Sequence, residues 1–128
     1  MKRVTGIGGI FFQARDPVAL RAWYAKHLGL ELQEWGGVAF TWADGAGNAT
    51  KGTTVWSIGP RSEETFAPSA APFMVNYRVE NLAALLAALR EEGCDVLEET
   101  HDSELGQFGW VMDPEGNKVE LWQPPAGR

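Results

Sequence analysis

The order of secondary-structure signals repeats once along the chain, and this repeat limits the possible folds more than any other feature. Each half reads as a strand, a capped helix that ends at glycine, and then further strand segments. The two predicted helix caps, Asp16 and Asn81, lie 65 positions apart. Neither half can easily bury both faces of its own sheet, so we expect the two to share one sheet.

The first unit is predicted to span residues 1–58. A strand over residues 6–14 leads to Asp16 and Pro17, where aspartate caps a helix and proline takes the first helical position. Gly29 ends this helix, since glycine tolerates the left-handed conformation that closes many helices. Three short strands are predicted to follow, over residues 31–35, 38–42 and 53–58.

The second unit is predicted to span residues 73–128, after a proline-containing linker over residues 59–72. A strand over residues 73–79 precedes a helix that is capped by Asn81 and stopped by Gly93. The helix carries a leucine stripe at helical spacing, formed by Leu82, Leu85, Leu86 and Leu89. Strands are predicted over residues 95–98, 108–112 and 117–123, with a polar stretch over residues 99–107 and a type I turn at "DPEG".

Charge and cysteine content exclude several functional classes. The net charge is −6 and the eleven basic residues form no stripe, so we expect no nucleic-acid partner. The single cysteine, Cys94, excludes an internal disulfide and suits a cytoplasmic protein. No stretch has the roughly 18–20 apolar residues that crossing a membrane requires, so we expect no membrane association.

Three segments resemble the vicinal oxygen chelate superfamily, which includes glyoxalase I, extradiol dioxygenases, and bleomycin and fosfomycin resistance proteins. They are "RDPVALRAWYAKHLGLEL", "VENLAALLAALREEGCDVLEE" and, most specifically, "GWVMDPEGNKVELWQP". The resemblance covers nearly the whole chain. It implies an α+β fold in which two βαβββ units form a cupped, eight-stranded mixed sheet with helices on the outer face, usually in a homodimer. The fold does not by itself imply a reaction.

The metal enzymes of that superfamily hold a divalent ion with four side chains, and the resemblance supplies their positions. The first and third fall on Gly9 and Met74, each seven residues before a helix cap. The strand that supplies the second reads "TTVWSI" and has no carboxylate, so Glu120 alone remains. Because a metal site needs at least three protein donors, we expect neither metal nor cofactor. An ion held by Glu120 and unexpected partners is the alternative.

Glu120 lies on an otherwise apolar strand and shares one strand face with Lys118 and Trp122. It either faces water, paired with a lysine across the strands, or points into the cup. Since tryptophan is a poor residue for an exposed face, we favour the cup. A partly buried carboxylate there would have a raised pKa and could act as a general base or acid, or anchor a ligand.

The other candidate residues are large or polar side chains within apolar strands. Gln13 and Asn76 are amides that need hydrogen-bonding partners when buried, and these are either each other or a ligand. Trp56 and Trp110 belong either to the core or to the pocket wall. The predicted lining is Phe11, Gln13, Trp56, Met74, Asn76, Trp110 and Glu120.

His101 lies in an acidic, polar segment, where it is either a surface imidazole or a proton carrier on a loop that closes over the cup.

Three functional hypotheses follow. In the first, the protein resembles glyoxalase and bleomycin-resistance proteins and binds a small organic molecule in an aromatic cup, without metal. In the second, it is a lyase or isomerase with Glu120 as the general base, possible also with a metal. In the third, the cup serves only as the core of a homodimer.

Overall fold

The structure, a computed structural model, describes residues 3–62 and 64–127. These residues form an α+β fold of seven strands and two helices, which confirms the predicted fold class. The elements are β1 (Val4–Ala14), α1 (Pro17–Leu28), β2 (Gly37–Ala43), β3 (Ala49–Pro60), β4 (Phe73–Val79), α2 (Leu82–Glu91), β5 (Asp95–Ser103), β6 (Gly106–Met112) and β7 (Lys118–Gln123).

All seven strands belong to one mixed sheet, in the order β2-β3-β1-β4-β7-β6-β5. The two halves of the chain meet at its centre, where β1 and β4 run antiparallel. Each half repeats the same arrangement beside that pair, because β3 lies parallel to β1 and β7 lies parallel to β4. The internal repeat of the sequence is therefore visible as an approximate symmetry of the sheet.

The prediction of eight strands is wrong, because residues 31–35 form no strand. They lead into a tight turn, in which Gly36 N donates to Gln33 O at 2.9 Å and Gln33 N donates to Gly37 O at 2.9 Å. Gly36 has a φ of 95°, which the turn requires and which glycine allows. These bonds close a turn at the first residue of β2 and do not extend into a ladder along residues 31–35.

Both helices begin and end as predicted. Asp16 Oδ1 accepts a hydrogen bond from Ala19 N at 3.0 Å, and Asn81 Oδ1 accepts one from Ala84 N at 3.1 Å. Gly29 follows α1 with a φ of 69°. Such capping bonds each stabilise a helix by about 1 kcal/mol, which explains why the sequence signals are reliable here.

The two helices cover the same face of the sheet. Leu82, Leu85 and Leu86 of α2 are buried against Val79 and Leu121. Burial of one such leucine contributes roughly 1.5–3 kcal/mol. In the first half, Tyr24 of α1 packs edge-on against Trp56 of β3, with ring centroids 4.9 Å apart.

Neither of the two helices is long and apolar enough to cross a membrane, within the part of the chain that is described.

We call the opposite side of the sheet the helix-free face. Residues 61, 62 and 64–72, which we call the connecting loop, lie against one end of it. Ser62 N donates to Gln13 Oε1 at 3.3 Å, and Lys118 Nζ donates to Thr65 O at 3.3 Å. Phe66 of this loop is buried. The loop therefore leaves the other end of the helix-free face as the open part.

Candidate ligand-binding site

A cavity of about 500 Å³ lies on the helix-free face of the sheet. Its walls are mainly apolar, with a few polar groups, as in sites that hold small organic molecules. The lining residues are Gly8, Phe11, Gly52, Thr53, Val55, Asn76, Arg78, Leu105, Phe108 and Trp122.

The pleat of the strands explains which side chains reach this face. Successive residues of a strand point to opposite sides, so Asn76 and Arg78 of β4 share a side. Across the β6–β7 ladder, Phe108 is paired with Trp122, and both line the cavity. Phe11 of β1 reaches the same side.

Glycine at position 8 is required by the packing of the site. A β-carbon there would overlap Asn76 Oδ1 and would lie 2.9 Å from Cε3 of Trp122. The pairing of β1 with β4 is also irregular next to this position, between Ile7 and Gly9. The backbone of β1 thus approaches the polar side chain of β4 at a distance that only glycine permits.

Glu120 is a buried carboxylate whose two oxygens both accept hydrogen bonds from side chains. Asn76 Nδ2 donates to Oε2 at 2.7 Å, and Trp110 Nε1 donates to Oε1 at 3.2 Å. Burial raises the pKa of Glu120, while these two hydrogen bonds and the charge of Lys118 act in the opposite direction. Glu120 does not line the cavity and is connected to it through Asn76.

Arg78 is held between two tryptophan rings. Its guanidinium carbon lies 5.0 Å from the ring centroid of Trp42 and 5.2 Å from that of Trp122, distances typical of cation–π interactions. The residue is only 7% exposed. Burial lowers the pKa of Arg78, but a guanidinium titrates so far above neutrality that it remains charged. We call Trp42, Arg78 and Trp122 the tryptophan clamp.

Hydrogen bonds fix both rings of the clamp. Trp42 Nε1 donates to Thr54 Oγ1 at 2.7 Å, and Trp122 Nε1 donates to Leu105 O at 2.8 Å. The Trp42 ring occupies the space where Gly6 and Gly52 have no side chains. The clamp is therefore positioned before any ligand arrives.

The predicted site residues fall into three groups. Phe11 and Asn76 line the cavity. Four others lie on the helix-free face but outside the cavity lining, namely Gln13, Met74, Trp110 and Glu120. Trp56 lies on the opposite face, because it is paired with Ile10 and packs against Tyr24 of α1, so it does not line the site.

His101 does not lie on a loop. The stretch predicted as polar connection is largely strand, since β5 extends to Ser103 and β6 begins at Gly106. His101 is exposed and paired with Phe108, at the edge strand of the sheet. It is absent from the described residues that line the cavity.

Several lining residues were missed although the sequence carries a signal for some of them. Arg78 stands two positions after Asn76, Trp122 two after Glu120, and Phe108 two before Trp110. Period-two alternation therefore places each beside a residue that was already a candidate. Trp42, which contacts Arg78 but does not line the cavity, has no such signal, since its approach to Arg78 depends on how β2 is positioned by β3.

The donor set that the superfamily uses for a divalent ion does not fit these residues. Gly9 offers no side chain and Met74 offers a thioether, which suits soft metals. Both oxygens of Glu120 already accept hydrogen bonds. Across residues 3–62 and 64–127, no three histidine, cysteine or acidic side chains are grouped so that they could hold a metal.

The fold defines a class of protein: two repeated α+β units that share one mixed sheet, with helices on one face and a cavity on the other. The family model of the glyoxalase-like domain matches residues 9–122, so the chain belongs to that family. The resemblance to the superfamily seen in the sequence is thereby confirmed.

Solved structures share this fold at low sequence identity. A variant of the Streptomyces coelicolor methylmalonyl-CoA epimerase, in complex with 2-nitronate-propionyl-CoA, is 19% identical with a TM-score of 0.67, over 98% of each chain. The Mycobacterium tuberculosis methylmalonyl-CoA epimerase is 20% identical with a TM-score of 0.58, over 98% of this chain and 91% of its own.

A glyoxalase/bleomycin resistance protein/dioxygenase superfamily member from Vibrio splendidus 12B01 is 13% identical with a TM-score of 0.58, over 91% of this chain and 97% of its own. No curated protein is significantly similar in sequence. At these identities the similarity establishes the fold alone.

Proposed function

We propose that the protein binds a small organic molecule in the cavity on the helix-free face, without a metal. The observation that carries this proposal is a cavity of about 500 Å³ whose walls are mainly apolar and include three aromatic rings. Its volume is typical of small-molecule sites, and its few polar groups, Asn76 and Arg78 among them, would orient the ligand.

Glu120 fits this proposal as a positioning residue. Its carboxylate holds the amide of Asn76, which lines the cavity. Because Asn76 and Trp110 occupy one acceptor site on each oxygen, Glu120 is better placed to fix its neighbours than to take a proton from a ligand.

An enzymatic function is the second candidate: a lyase or isomerase with Glu120 as general base, possible also with a metal. Burial raises the pKa of this carboxyl, which is the usual way in which a protein prepares a carboxylate for proton transfer. Two structures of similar fold are epimerases by name, and one is in complex with 2-nitronate-propionyl-CoA.

We further propose that the protein is a homodimer. Helix α1 has no buried residue, and Val18, Trp23 and Leu28 are 72%, 50% and 60% exposed. Large apolar side chains that a helix leaves exposed are often covered by a partner subunit. Dimer formation through the helix-free face is the competing arrangement, and it would fill the cavity instead of leaving it for a ligand. The single, exposed thiol of Cys94 suits a cytoplasmic location.

The test is a small-molecule screen by thermal shift, followed by a structure of the complex. A ligand at 100 times its Kd should stabilise the fold by about 2.7 kcal/mol. The same assay with Ni²⁺, Mn²⁺ and Zn²⁺ should show no stoichiometric retention. Tight retention of one ion would contradict the metal-free proposal.

Glu120→Ala separates binding from catalysis once a ligand is known. If turnover is lost while the ligand still binds, the enzymatic candidate is correct. If binding alone weakens, and no turnover exists in the wild type, the binding function stands.

A further inference from the structure

We propose that the edge of strand β2 pairs with the same edge of a second copy of this chain, so that two sheets join into one across a twofold axis. This inference rests on the homodimer proposed above and names the strand through which the copies meet. It starts from the approximate symmetry of the sheet. Outward from the centre, the second half continues as β4-β7-β6-β5, whereas the first half continues as β1-β3-β2 and ends one strand earlier.

The place that β5 fills in the second half holds no strand in the first half, among the residues that the structure describes. Residues 31–35 follow α1 as β5 follows α2, but they form a turn that reaches β2 only where Gln33 N donates to Gly37 O. Within residues 3–62 and 64–127, no backbone hydrogen bond joins this segment to β2 further along. The outer edge of β2 is therefore left without a neighbouring strand.

Alternation along β2 determines which backbone groups lie at that edge. Ile58 N of β3 donates to Gly36 O at 3.4 Å, whereas Gly37 O is used on the outer side by the preceding turn. Backbone groups of an edge strand alternate between the paired side and the open side. Ala39 and Thr41 therefore present their N–H and C=O groups outward, and both residues are exposed.

The sequence of β2 does not protect this edge against pairing, whereas that of β5 does. Residues 35–43 read "WGGVAFTWA" and contain no charged residue and no proline. The opposite edge strand, β5, carries four acidic residues, and its pairing with β6 shifts register between Val96 and Thr100. Charges and irregular pairing are means by which edge strands avoid each other. The partner of β2 is therefore a second β2, and this contact closes after two chains.

The free backbone groups also determine the register of the pair. When Ala39 lies opposite Thr41 of the second copy, the two symmetric pairs exchange N–H···O bonds without using Gly37 O, which already accepts one. Phe40 then lies opposite Phe40 of the second copy, where β-carbons are about 4.5–5.5 Å apart. Phe40 is 43% exposed, and aromatic pairs across strands stabilise a sheet.

The face of the sheet that carries Phe40 also connects the edge of β2 to helix α1. Phe40 and Val38 point to one side of β2. Val38 is paired with Trp56, which packs against Tyr24 of α1. The ring of Tyr24 in turn contacts Trp23, which is half exposed. The exposed side chains of α1 and the edge of β2 thus belong to one surface, which a second copy would cover.

Analytical ultracentrifugation of matched variants tests the pairing. Phe40→Lys places like charges opposite each other at the twofold axis and should raise the Kd of the dimer about tenfold or more. Phe73→Lys is the control, because Phe73 is also 43% exposed but lies in β4, and it should leave the Kd within about twofold. Thr41→Pro removes an outward N–H group and should weaken the dimer as Phe40→Lys does. Circular dichroism checks that each variant is folded.

Disulfide trapping tests the register without adding a charge or a proline. In a Cys94→Ser background, Phe40→Cys should form a covalent dimer under mild oxidation with copper phenanthroline, because facing β-carbons at this spacing are within reach of a disulfide. Phe73→Cys in the same background is the control and should remain monomeric on a non-reducing gel.

The outcomes separate the pairing of β2 from the homodimer itself. If the wild type is a monomer, both are wrong, and ligand binding in the cavity is unaffected. If the wild type is a dimer that persists in folded Phe40→Lys and Thr41→Pro, or if Phe40→Cys is trapped no better than Phe73→Cys, the homodimer stands and the pairing of β2 is wrong. Should the lysine and proline variants fail to fold, the trapping of Phe40→Cys decides.

Discussion

Gly8 shows how one missing side chain shapes the site. The gap beside its α-carbon is filled by the amide of Asn76, which in turn holds the buried carboxylate of Glu120. The sequence contains this information only as a glycine within a strand, which indicates a close approach but not the residue that approaches.

We expect Gly8→Ala to lower the free energy of unfolding by about 1–3 kcal/mol and to weaken ligand binding, because the added methyl group would overlap Asn76 Oδ1. Urea denaturation of wild type and variant measures the first effect. Gly45→Ala is the control, since a β-carbon there meets nothing within 4 Å, and it should change stability by less than about 0.5 kcal/mol. Equal stabilities of the two variants would contradict this account of the packing.

Glu120 should make the stability of the protein depend on pH. Its pKa is raised above the ordinary value of 4.5, so the folded state binds the proton more tightly than the unfolded state does. Its contribution is therefore fully present below about pH 4.5 and is lost as the pH rises through the folded-state pKa.

This dependence can be measured by comparing wild type with Glu120→Gln in urea at several pH values from acid to neutral. The free energy of unfolding of the wild type should fall relative to that of the variant as the pH rises. Glu80→Gln, which removes the same charge from an exposed position, is the control and should run parallel to the wild type. If the unfolding free energy of the wild type stays constant or rises relative to that of Glu120→Gln as the pH increases, burial does not dominate the titration of Glu120.

Residues of the cavity were predictable from the sequence only where the alternation of side chains along a strand determines which face of the sheet they occupy. Asn76 was found because it is polar within an apolar strand, and Arg78 follows from the same alternation. The face of Trp56 could not be predicted, because a tryptophan suits either face of a sheet and its contact with Tyr24 depends on how α1 docks.

At the scale of elements, the helices were predictable and one strand was not. Caps at Asp16 and Asn81 and a glycine after each helix are local signals, and the structure uses them. Residues 31–35 were predicted as a strand because Gly36 and Gly37 after them are a hairpin signal, but the backbone of Gln33 bonds within a tight turn instead of a ladder. A strand depends on its neighbour as well as on its own sequence, and no local pattern records that.

The two helices should differ in how much they stabilise the fold. We expect Leu85→Ala in α2 to cost about 2–5 kcal/mol, because Leu85 is 3% exposed within the core cluster. Val18→Ala in α1 should cost less than about 0.5 kcal/mol, since Val18 is 72% exposed. Chemical denaturation at low protein concentration measures both. A large loss of unfolding free energy in Val18→Ala would mean that a partner subunit covers α1 even at low protein concentration.

At the scale of the whole molecule, the cavity was the least predictable feature. Its walls come from β1, β3, β4, β6 and β7 and from Leu105 in the turn between β5 and β6. Its shape therefore depends on the register of the pairs β1–β3, β1–β4, β4–β7 and β6–β7. Because its two halves repeat the same order of elements, the sequence predicts one shared sheet. It does not indicate how far the connecting loop extends across that sheet.

The proposed dimer can be tested by analytical ultracentrifugation. We expect the wild type to sediment as a dimer and Trp23→Glu to sediment as a monomer, because a charge placed in an apolar interface is costly to bury. Ala46→Glu adds the same charge at the exposed turn between β2 and β3 and should leave the dimer intact. A monomeric wild type, or a dimer that persists in Trp23→Glu, would exclude this use of α1.

The central pair of strands determines how the destabilising effects of substitutions combine. Most backbone pairing between the halves runs through β1 and β4, while β2 and β5 form the two outer rims. A substitution at a rim should disturb mainly its own half, and its effect should add to that of a change at the far rim. A substitution in β1 or β4 perturbs both halves together, so that pair is where mutations are expected to behave non-additively.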